Sequence, residues 1–245
     1  MSRALVLAGH GSHLDPASSR PVHDHAARLR ARGAFDEVHV AFWKEEPALS
    51  RILDAVDADD VTIVPVFISD GYFVREVVPR EAGLSGPVSC VLGKLVRYTR
   101  PVGSNPALAD VIVQRALEAG AGPSTGIAVL GHGTPRNPGS ERNVLFHTEL
   151  VSKQNRFVAV AAVFLEQEPD MRGVFGLLDT REIVMVPLFV AEGWHVGVSI
   201  PEDMAIDRGE LRRGGRTLRY SAPVGTHPLV TGIIEELAVA AAAWR

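Results

Sequence analysis

Apolar positions along the chain follow two patterns, one typical of buried strands and one typical of amphipathic helices. In the first half, solid apolar runs predict strands at residues 4–8, 38–43, 61–68 and 95–99. Apolar residues at helical spacing predict helices at 18–32, from Pro47 through Val56, and at 106–119. Strands that are apolar throughout and separated by helices are typical of a parallel sheet covered on both faces.

The second half of the chain repeats the first. Gly9-His10-Gly11 recurs as Gly131-His132-Gly133, an offset of 122 (132 − 10). The same offset maps Glu46-Pro47 onto Glu168-Pro169, Pro79 onto Pro201, and Pro101-Val102-Gly103 onto Pro223-Val224-Gly225. The strands of the second copy are expected near residues 127–130, 157–165, 182–190 and 217–221, with a last helix at 228–243. A constant offset over this length indicates an internal duplication.

The duplication predicts the fold class. We expect an α/β protein with two similar flavodoxin-like lobes, each a mostly parallel four-stranded sheet flanked by helices. The lobes are predicted as domains 1–120 and 126–245, joined by the linker-like segment AGAGPST. The expected strand order in each sheet is 2-1-3-4, so the first three strands of each copy would be neighbours.

Composition excludes several functions. The 245 residues carry a net charge of −4, which gives no electrostatic reason to bind nucleic acid or an anionic membrane. The single cysteine, Cys90, rules out an intramolecular disulfide and an all-cysteine metal site, and indicates a reducing, cytoplasmic environment. No segment reaches the roughly 18 apolar residues of a membrane span. The sequence leaves the oligomeric state open, with a homodimer among the options.

Three side chains capable of metal binding follow three strands of the second copy. His132 follows the first strand, Glu166 the second and His195 the third. The carboxyl ends of neighbouring parallel strands meet at one edge of a sheet, where ligands bind in such folds. Two imidazoles and a carboxylate suit a divalent transition metal. We therefore predict a metal site formed by these three residues.

The first copy serves as a comparison within the same chain. His10 stands at the place of His132, but Lys44 replaces Glu166 and Phe73 replaces His195. An ammonium group repels a cation and a phenyl ring cannot bind one. The first copy is therefore predicted to carry a degenerate site, with His10 as its remaining catalytic candidate.

Four segments resemble the class II tetrapyrrole chelatases of the CbiX type in their long, two-lobe form. They are LVLAGHGS at 5–12, VLGHGT at 129–134, VFLEQEP at 163–169 and VPLFVAEGWHV at 186–196. The resemblance covers nearly all of the chain. It implies ATP-independent insertion of cobalt or ferrous iron into sirohydrochlorin, for cobalamin or sirohaem. In the long forms the N-terminal half usually carries the histidine pair, which Phe73 interrupts here.

The resemblance also implies roles for single residues. His132 and His195, with Glu166, would bind the metal and relay protons. The divalent ion, Co²⁺ or Fe²⁺, would be a substrate, and no permanently bound cofactor is expected. Carboxylates of the tetrapyrrole would meet Arg136 and Arg142, or Arg20 and Arg75 in the first lobe, and Trp194 would pack against the ring.

Other functions compete with the chelatase. A histidine phosphatase needs an arginine directly before its histidine, where this chain has Gly9 and Gly131. A zinc hydrolase built on two histidines and a glutamate would retain zinc tightly. A non-catalytic carrier of tetrapyrrole or metal is also compatible with the degenerate first copy.

Overall fold

The computed structural model describes residues 2–134 and 138–244, without the side chains of residues 138–140. The first sheet consists of β1 (Arg3–Gly9), β2 (Glu37–Phe42), β3 (Asp60–Pro65), β4 (Val88–Val91) and β5 (Lys94–Tyr98). The α-helices along this part of the chain are α1 (Arg20–Arg32), α2 (Val78–Glu81) and α3 (Leu108–Glu118). Short 3₁₀ turns lie at Pro16–Ser18, Leu49–Asp54 and Val102–Ser104, and a π-helical turn at Phe73–Val77.

The second part of the chain repeats this order of elements. Its sheet consists of β6 (Gly126–Gly131), β7 (Ala159–Phe164), β8 (Glu182–Pro187), β9 (Glu210–Arg213) and β10 (Arg216–Tyr220). Its α-helices are α4 (Pro138–Lys153), α5 (Val174–Leu177), α6 (Ile200–Met204) and α7 (Val230–Ala241). The 3₁₀ turns are Met171–Gly173 and Val224–Thr226, and the π-helical turn is His195–Ser199.

Both sheets have the same topology. The strand orders are β2-β1-β3-β5-β4 and β7-β6-β8-β10-β9. The pairs between β1, β2, β3 and β5 are parallel, as are those between β6, β7, β8 and β10. β4 and β9, at the sheet edges, run antiparallel to their neighbours. The predicted α/β class and the order of the four parallel strands are confirmed.

The predicted number of strands was wrong, because each sheet has five strands rather than four. The fifth strand of each sheet forms a hairpin with the last parallel strand, closed by Leu92-Gly93 or by Gly214-Gly215. All four turn residues have positive φ, between 52° and 79°, as two-residue hairpin turns require. β4 and β9 have only four residues each and are largely exposed or half-buried. They therefore lack the solid apolar run that identifies the inner strands.

The prediction that Pro47 begins a helix was also wrong. The turn Leu49–Asp54 is 3₁₀-helical and begins two residues later. Pro47 instead follows a cis peptide bond, and its carbonyl accepts the backbone N–H of Phe42 at 2.8 Å. Pro169 and Phe164 repeat this bond in the second copy, at 2.9 Å. The two prolines thus fix the chain after a strand.

The chain forms two compact units, each with its own buried core. One unit comprises Met1–Asn105 and Pro228–Arg245, and the other comprises Pro106–His227. The last helix of each sequence copy therefore belongs to the unit of the other copy's sheet: α3 contacts α4 and β8, and α7 contacts α1 and β3. The predicted boundaries at residues 120 and 126 separate the two sequence copies. As domain boundaries they stay a prediction. Within the described residues, no helix has both the length and the apolar content needed to cross a membrane.

Candidate metal centre

His132 is held by the two glycines that flank it at the carboxyl end of β6. A Cβ on Gly131 would lie 2.2 Å from Cγ2 of Val144, so only glycine allows α4 to pack this closely. Gly133 has a φ of +64°, and its carbonyl oxygen lies 2.9 Å from Nδ1 of His132. Because a carbonyl oxygen can only accept, Nδ1 carries the proton. The lone pair of Nε2 is therefore available to a metal ion or a proton.

Glu166 lies beside His132 because β7 neighbours β6. The backbone N–H of Glu166 donates to the carbonyl of His132 at 3.0 Å. Its carboxylate Oε2 lies 3.8 Å from Nδ1 of His132, and about half of the side chain (51%) is exposed. The carboxylate thus approaches the protonated nitrogen of the imidazole and remains free to move.

His195 lies next to His132 at the start of the π-helical turn that follows β8. The two ring centroids are 5.6 Å apart and the ring planes are nearly perpendicular, at 82°. Trp194 also contacts the His195 ring, with 5.3 Å between the ring centroids, and is 61% exposed. The His195 ring makes no hydrogen bond within the described part of the chain. Its nitrogens are therefore open to a ligand.

The structure thus brings the three predicted residues together as a pair of imidazoles with a nearby carboxylate. Among the side chains it describes, no set of three His, Cys, Asp or Glu residues is arranged to hold a metal ion as it stands. Two imidazoles alone would leave the remaining coordination positions of an ion open. Such a site suits an ion that has to be transferred rather than retained.

The turn that carries His195 is tied to the sheet by Tyr220. In this turn the N–H of Ile200 donates to the carbonyl of His195, five residues back. The next carbonyl, of Val196, would pair with residue 201, but Pro201 has no N–H. The hydroxyl of Tyr220 donates to this carbonyl instead, at 3.1 Å. Burial raises the pKa of the Tyr220 hydroxyl above its ordinary value, which keeps it protonated as a donor.

The first copy repeats this support around different site residues. The hydroxyl of Tyr98 donates to the carbonyl of Val74 at 2.7 Å, and the residue five positions after Val74 is Pro79. Neither tyrosine was predicted as a site residue, although the offset of 122 maps Tyr98 onto Tyr220. The signal available in the sequence was that both copies carry a tyrosine and a proline at matching positions, Tyr98 with Pro79 and Tyr220 with Pro201.

In the first copy an aromatic cluster occupies the place of the imidazole pair. Nδ1 of His10 donates to the carbonyl of Gly11 at 2.8 Å, as in the second copy. The His10 ring packs against Phe73, with 4.7 Å between the centroids, and against Trp43, with 5.5 Å. Lys44 places its ammonium nitrogen 3.7 Å from the centre of the Trp43 ring. This copy retains the hydrogen-bonded histidine and replaces the other two site residues with an aromatic ring and a cation.

Of the arginines predicted to meet substrate carboxylates in the first lobe, Arg20 begins α1 and Arg75 lies in the π-helical turn Phe73–Val77, and both are exposed. Arg142 is exposed on α4, whereas Arg136 lies outside the described residues. The contact of these four arginines with substrate carboxylates, like the packing of Trp194 against a ring, stays a prediction.

Comparison with known proteins adds to this geometry. The CbiX family model matches residues 4–119 and again residues 126–241. The chain is 39% identical over 269 residues to the "Probable sirohydrochlorin cobaltochelatase" of Halobacterium salinarum, covering 98% of this chain and 92% of that protein.

Solved structures show the same fold. DR2241 from Deinococcus radiodurans, a multi-domain protein with structural similarity to chelatases, matches with a TM-score of 0.85 and 32% identity. The match covers 97% of this chain and 55% of that longer protein, which has two additional novel domains. The sirohydrochlorin chelatase SirB from Bacillus subtilis subspecies spizizenii, in complex with cobalt, matches with a TM-score of 0.75 and 15% identity, covering 99% and 96% of the two chains. With both copies matched by one family model and a relative this similar over nearly its whole length, the chain belongs to the CbiX family.

Proposed function

We propose that this protein inserts a divalent metal ion, cobalt or ferrous iron, into sirohydrochlorin or a related tetrapyrrole, in the biosynthesis of cobalamin or sirohaem and without ATP. The observation that carries the proposal is the pair formed by His132 and His195, with ring centroids 5.6 Å apart. The name of the Halobacterium salinarum relative and the cobalt complex of SirB support it.

The imidazole pair matches what metal insertion requires. An incoming ion must lose water and then leave the protein for the four nitrogens of the macrocycle. Nε2 of His132 and a nitrogen of His195 would supply two neutral ligands, and the macrocycle would supply the next ones. Neutral imidazoles also accept protons near neutral pH, so the same pair can take up the two pyrrole protons that the ion displaces.

Glu166 would supply negative charge to this site. Its carboxylate lies 3.8 Å from Nδ1 of His132, so it can balance a cation, or the imidazolium that forms when Nε2 takes a proton. Because the side chain is half-exposed, rotation toward the ion remains open to it. Lys44 at the same place in the first copy reverses this charge.

A non-catalytic carrier of tetrapyrrole or metal is the second candidate. The aromatic cluster around His10 favours it, because half of the duplicated scaffold has no imidazole pair. A hydrolase is less well supported, since the described side chains offer no third ligand in place. Turnover separates an enzyme from a carrier: a carrier yields at most one metallated product per chain.

The test is cobalt insertion into sirohydrochlorin, followed by the change in absorbance over many turnovers. His132→Ala and His195→Ala should each lower the rate by about 10²-fold or more, the usual contribution of a group that transfers protons. His195→Phe reproduces the first copy and should be equally inactive. His10→Ala is the matched control and should retain most of the activity. Wild-type rates in both second-copy variants, or an inactive His10→Ala alone, would reject the assignment.

A further inference from the structure

The first compact unit contains a cavity of about 610 Å³ that the metal centre does not use. It lies between the turn Phe73–Val77 with α2, the end of β5, and Trp244 after α7. Its apolar walls are formed by Val74, Pro79, Leu84, Pro87, Tyr98, Pro101 and Trp244. A cavity of this volume and lining is typical of small-molecule sites.

Hydrogen bonds hold the backbone of Trp244 and the hydroxyl of Tyr98, two aromatic residues that line this cavity. The carbonyl of Trp244 accepts a hydrogen bond from Nε of Arg97 at 3.1 Å, and Arg97 is itself buried and paired with Asp60. The hydroxyl of Tyr98 is occupied by the carbonyl of Val74, so Tyr98 offers its ring to the cavity. A flat apolar ligand in the cavity would contact both aromatic residues.

The cavity is lined by three arginines and by the carboxylates of Asp70 and the exposed Glu76. Arg75 pairs with Asp70 at 3.0 Å, and Arg80 pairs with Glu81 at 2.8 Å, so these two are already neutralised. Arg100 also lines the cavity, and no acidic side chain in the described parts of the chain pairs with it. One guanidinium at the cavity therefore remains available for an oxyanion.

The second copy shows that these residues are not required by the scaffold. With the offset of 122, three of the cavity's apolar positions are retained: Tyr98 corresponds to Tyr220, Pro79 to Pro201 and Pro101 to Pro223. The three arginines are not retained, since Arg75, Arg80 and Arg100 correspond to Gly197, Glu202 and Ala222. The position of Trp244 corresponds to Gly122. The indole and the guanidinium groups are thus features of one copy only, as expected of a site rather than of the fold.

We propose that this cavity binds an aromatic oxyanion, with the ring between Tyr98 and Trp244 and the carboxylate or phosphate group on Arg100. This site goes beyond the proposed chelatase reaction and shares no residue with the imidazole pair. A ligand in the cavity would contact Val74 and Arg75, which belong to the same π-helical turn as Phe73.

Calorimetric titration of the full chain with three naphthalene probes tests the proposal. The probes are 2-naphthoate, 2-naphthyl phosphate and the uncharged 2-naphthalenemethanol. One charge-assisted hydrogen bond corresponds to about tenfold in affinity, so at least one anion should bind about tenfold more tightly than the alcohol. The stronger of the two anions identifies the carboxylate or the phosphate as the preferred group.

Two arginine variants locate the anion. Arg100→Ala installs the residue of the second copy at an exposed position and should remove the preference for the anion. Arg213→Ala, at an exposed arginine on β9 outside the cavity, removes the same charge and should leave binding unchanged. The anion should also shift the indole N–H resonance of Trp244, assigned with Trp244→Phe. His132→Ala should bind the probes as the wild type does, whatever its chelatase activity.

Three results would overturn the proposal. One is an absence of binding heat with both anions. Another is equal affinity for the alcohol and the anions. The third is an anion preference that survives Arg100→Ala, or that falls equally in Arg213→Ala.

Discussion

Replacing Tyr220 by phenylalanine tests how the fold positions His195. The change removes the one hydroxyl that reaches the carbonyl of Val196, at 3.1 Å, and leaves the ring in place. Pro201 cannot replace the lost donor, because it has no N–H. The carbonyl belongs to a residue that is only 4% exposed, so water has little access to it.

The expected magnitude follows from the buried carbonyl. Leaving a buried acceptor without a donor costs about 1–3 kcal/mol. In a chain of this size, each kcal/mol lowers Tm by roughly 2–4 °C. The turn should also hold His195 less firmly, and we expect the affinity for Co²⁺ to fall by about tenfold, as for other residues that orient metal ligands.

Tyr98→Phe is the matched control, because it removes the same bond in the copy without an imidazole pair. Both variants should lose similar stability in thermal unfolding, but only Tyr220→Phe should lose Co²⁺ affinity in calorimetry. Unchanged Tm and Co²⁺ affinity in Tyr220→Phe would refute the role of the hydroxyl. An equal loss of Co²⁺ affinity in Tyr98→Phe would show a general effect of stability instead.

Three further predictions concern other parts of the two copies. Gly133→Ala places a Cβ 2.6 Å from a Gln167 side-chain carbon, at a φ of +64°, and should weaken Co²⁺ binding. The control Gly214→Ala has a similar φ of +57° but lies in open space, so it should lose only about 1–2 kcal/mol of stability. Equal Co²⁺ affinities in the two variants would contradict this prediction. Phe73→His combined with Lys44→Glu installs the second-copy residues in the first copy and should raise the Co²⁺ stoichiometry in calorimetry from one to two; an unchanged stoichiometry would disprove it. The hydrogen bonds from Arg172 lower the pKa of Asp170, so the stability they add is present at neutral pH and is lost as the pH falls through that lowered pKa. The Tm difference between wild type and an Arg172→Met variant should therefore shrink in acid, and a difference that is constant with pH would argue against the pairing.

The sequence was sufficient to predict the inner strands and the placement of the site. Solid apolar runs identify strands that are buried on both faces, and the order of the parallel strands puts His132, Glu166 and His195 at one edge. The geometry brings these residues together as expected, and their role in metal binding stays a prediction. The edge strands β4 and β9 were not predicted, because half-exposed strands of four residues carry no apolar run. The hairpin turn after β4 was not predicted either, because Leu92 is not a residue typical of a positive φ.

Other features of the structure cannot be predicted from the pattern of apolar residues along the chain. The periodicity of α3 and α7 shows that each helix has an apolar face, but it does not show which sheet that face covers. The bond between Tyr220 and Val196 depends on a proline, a π-helical turn and a neighbouring strand together. Such combinations become visible only when the tertiary contacts are known.

The pairing of each terminal helix with the opposite copy determines how this gene can be divided. Division of the chain at the linker near residue 120 would separate each sheet from the terminal helix that packs on it. Each sheet would instead be joined to the helix that packs on the other sheet. Pro106–His227, in contrast, is one uninterrupted stretch that forms a complete compact unit and contains both imidazoles. Expressed alone, this stretch is the smallest fragment that we expect to retain the cobalt affinity of the imidazole pair.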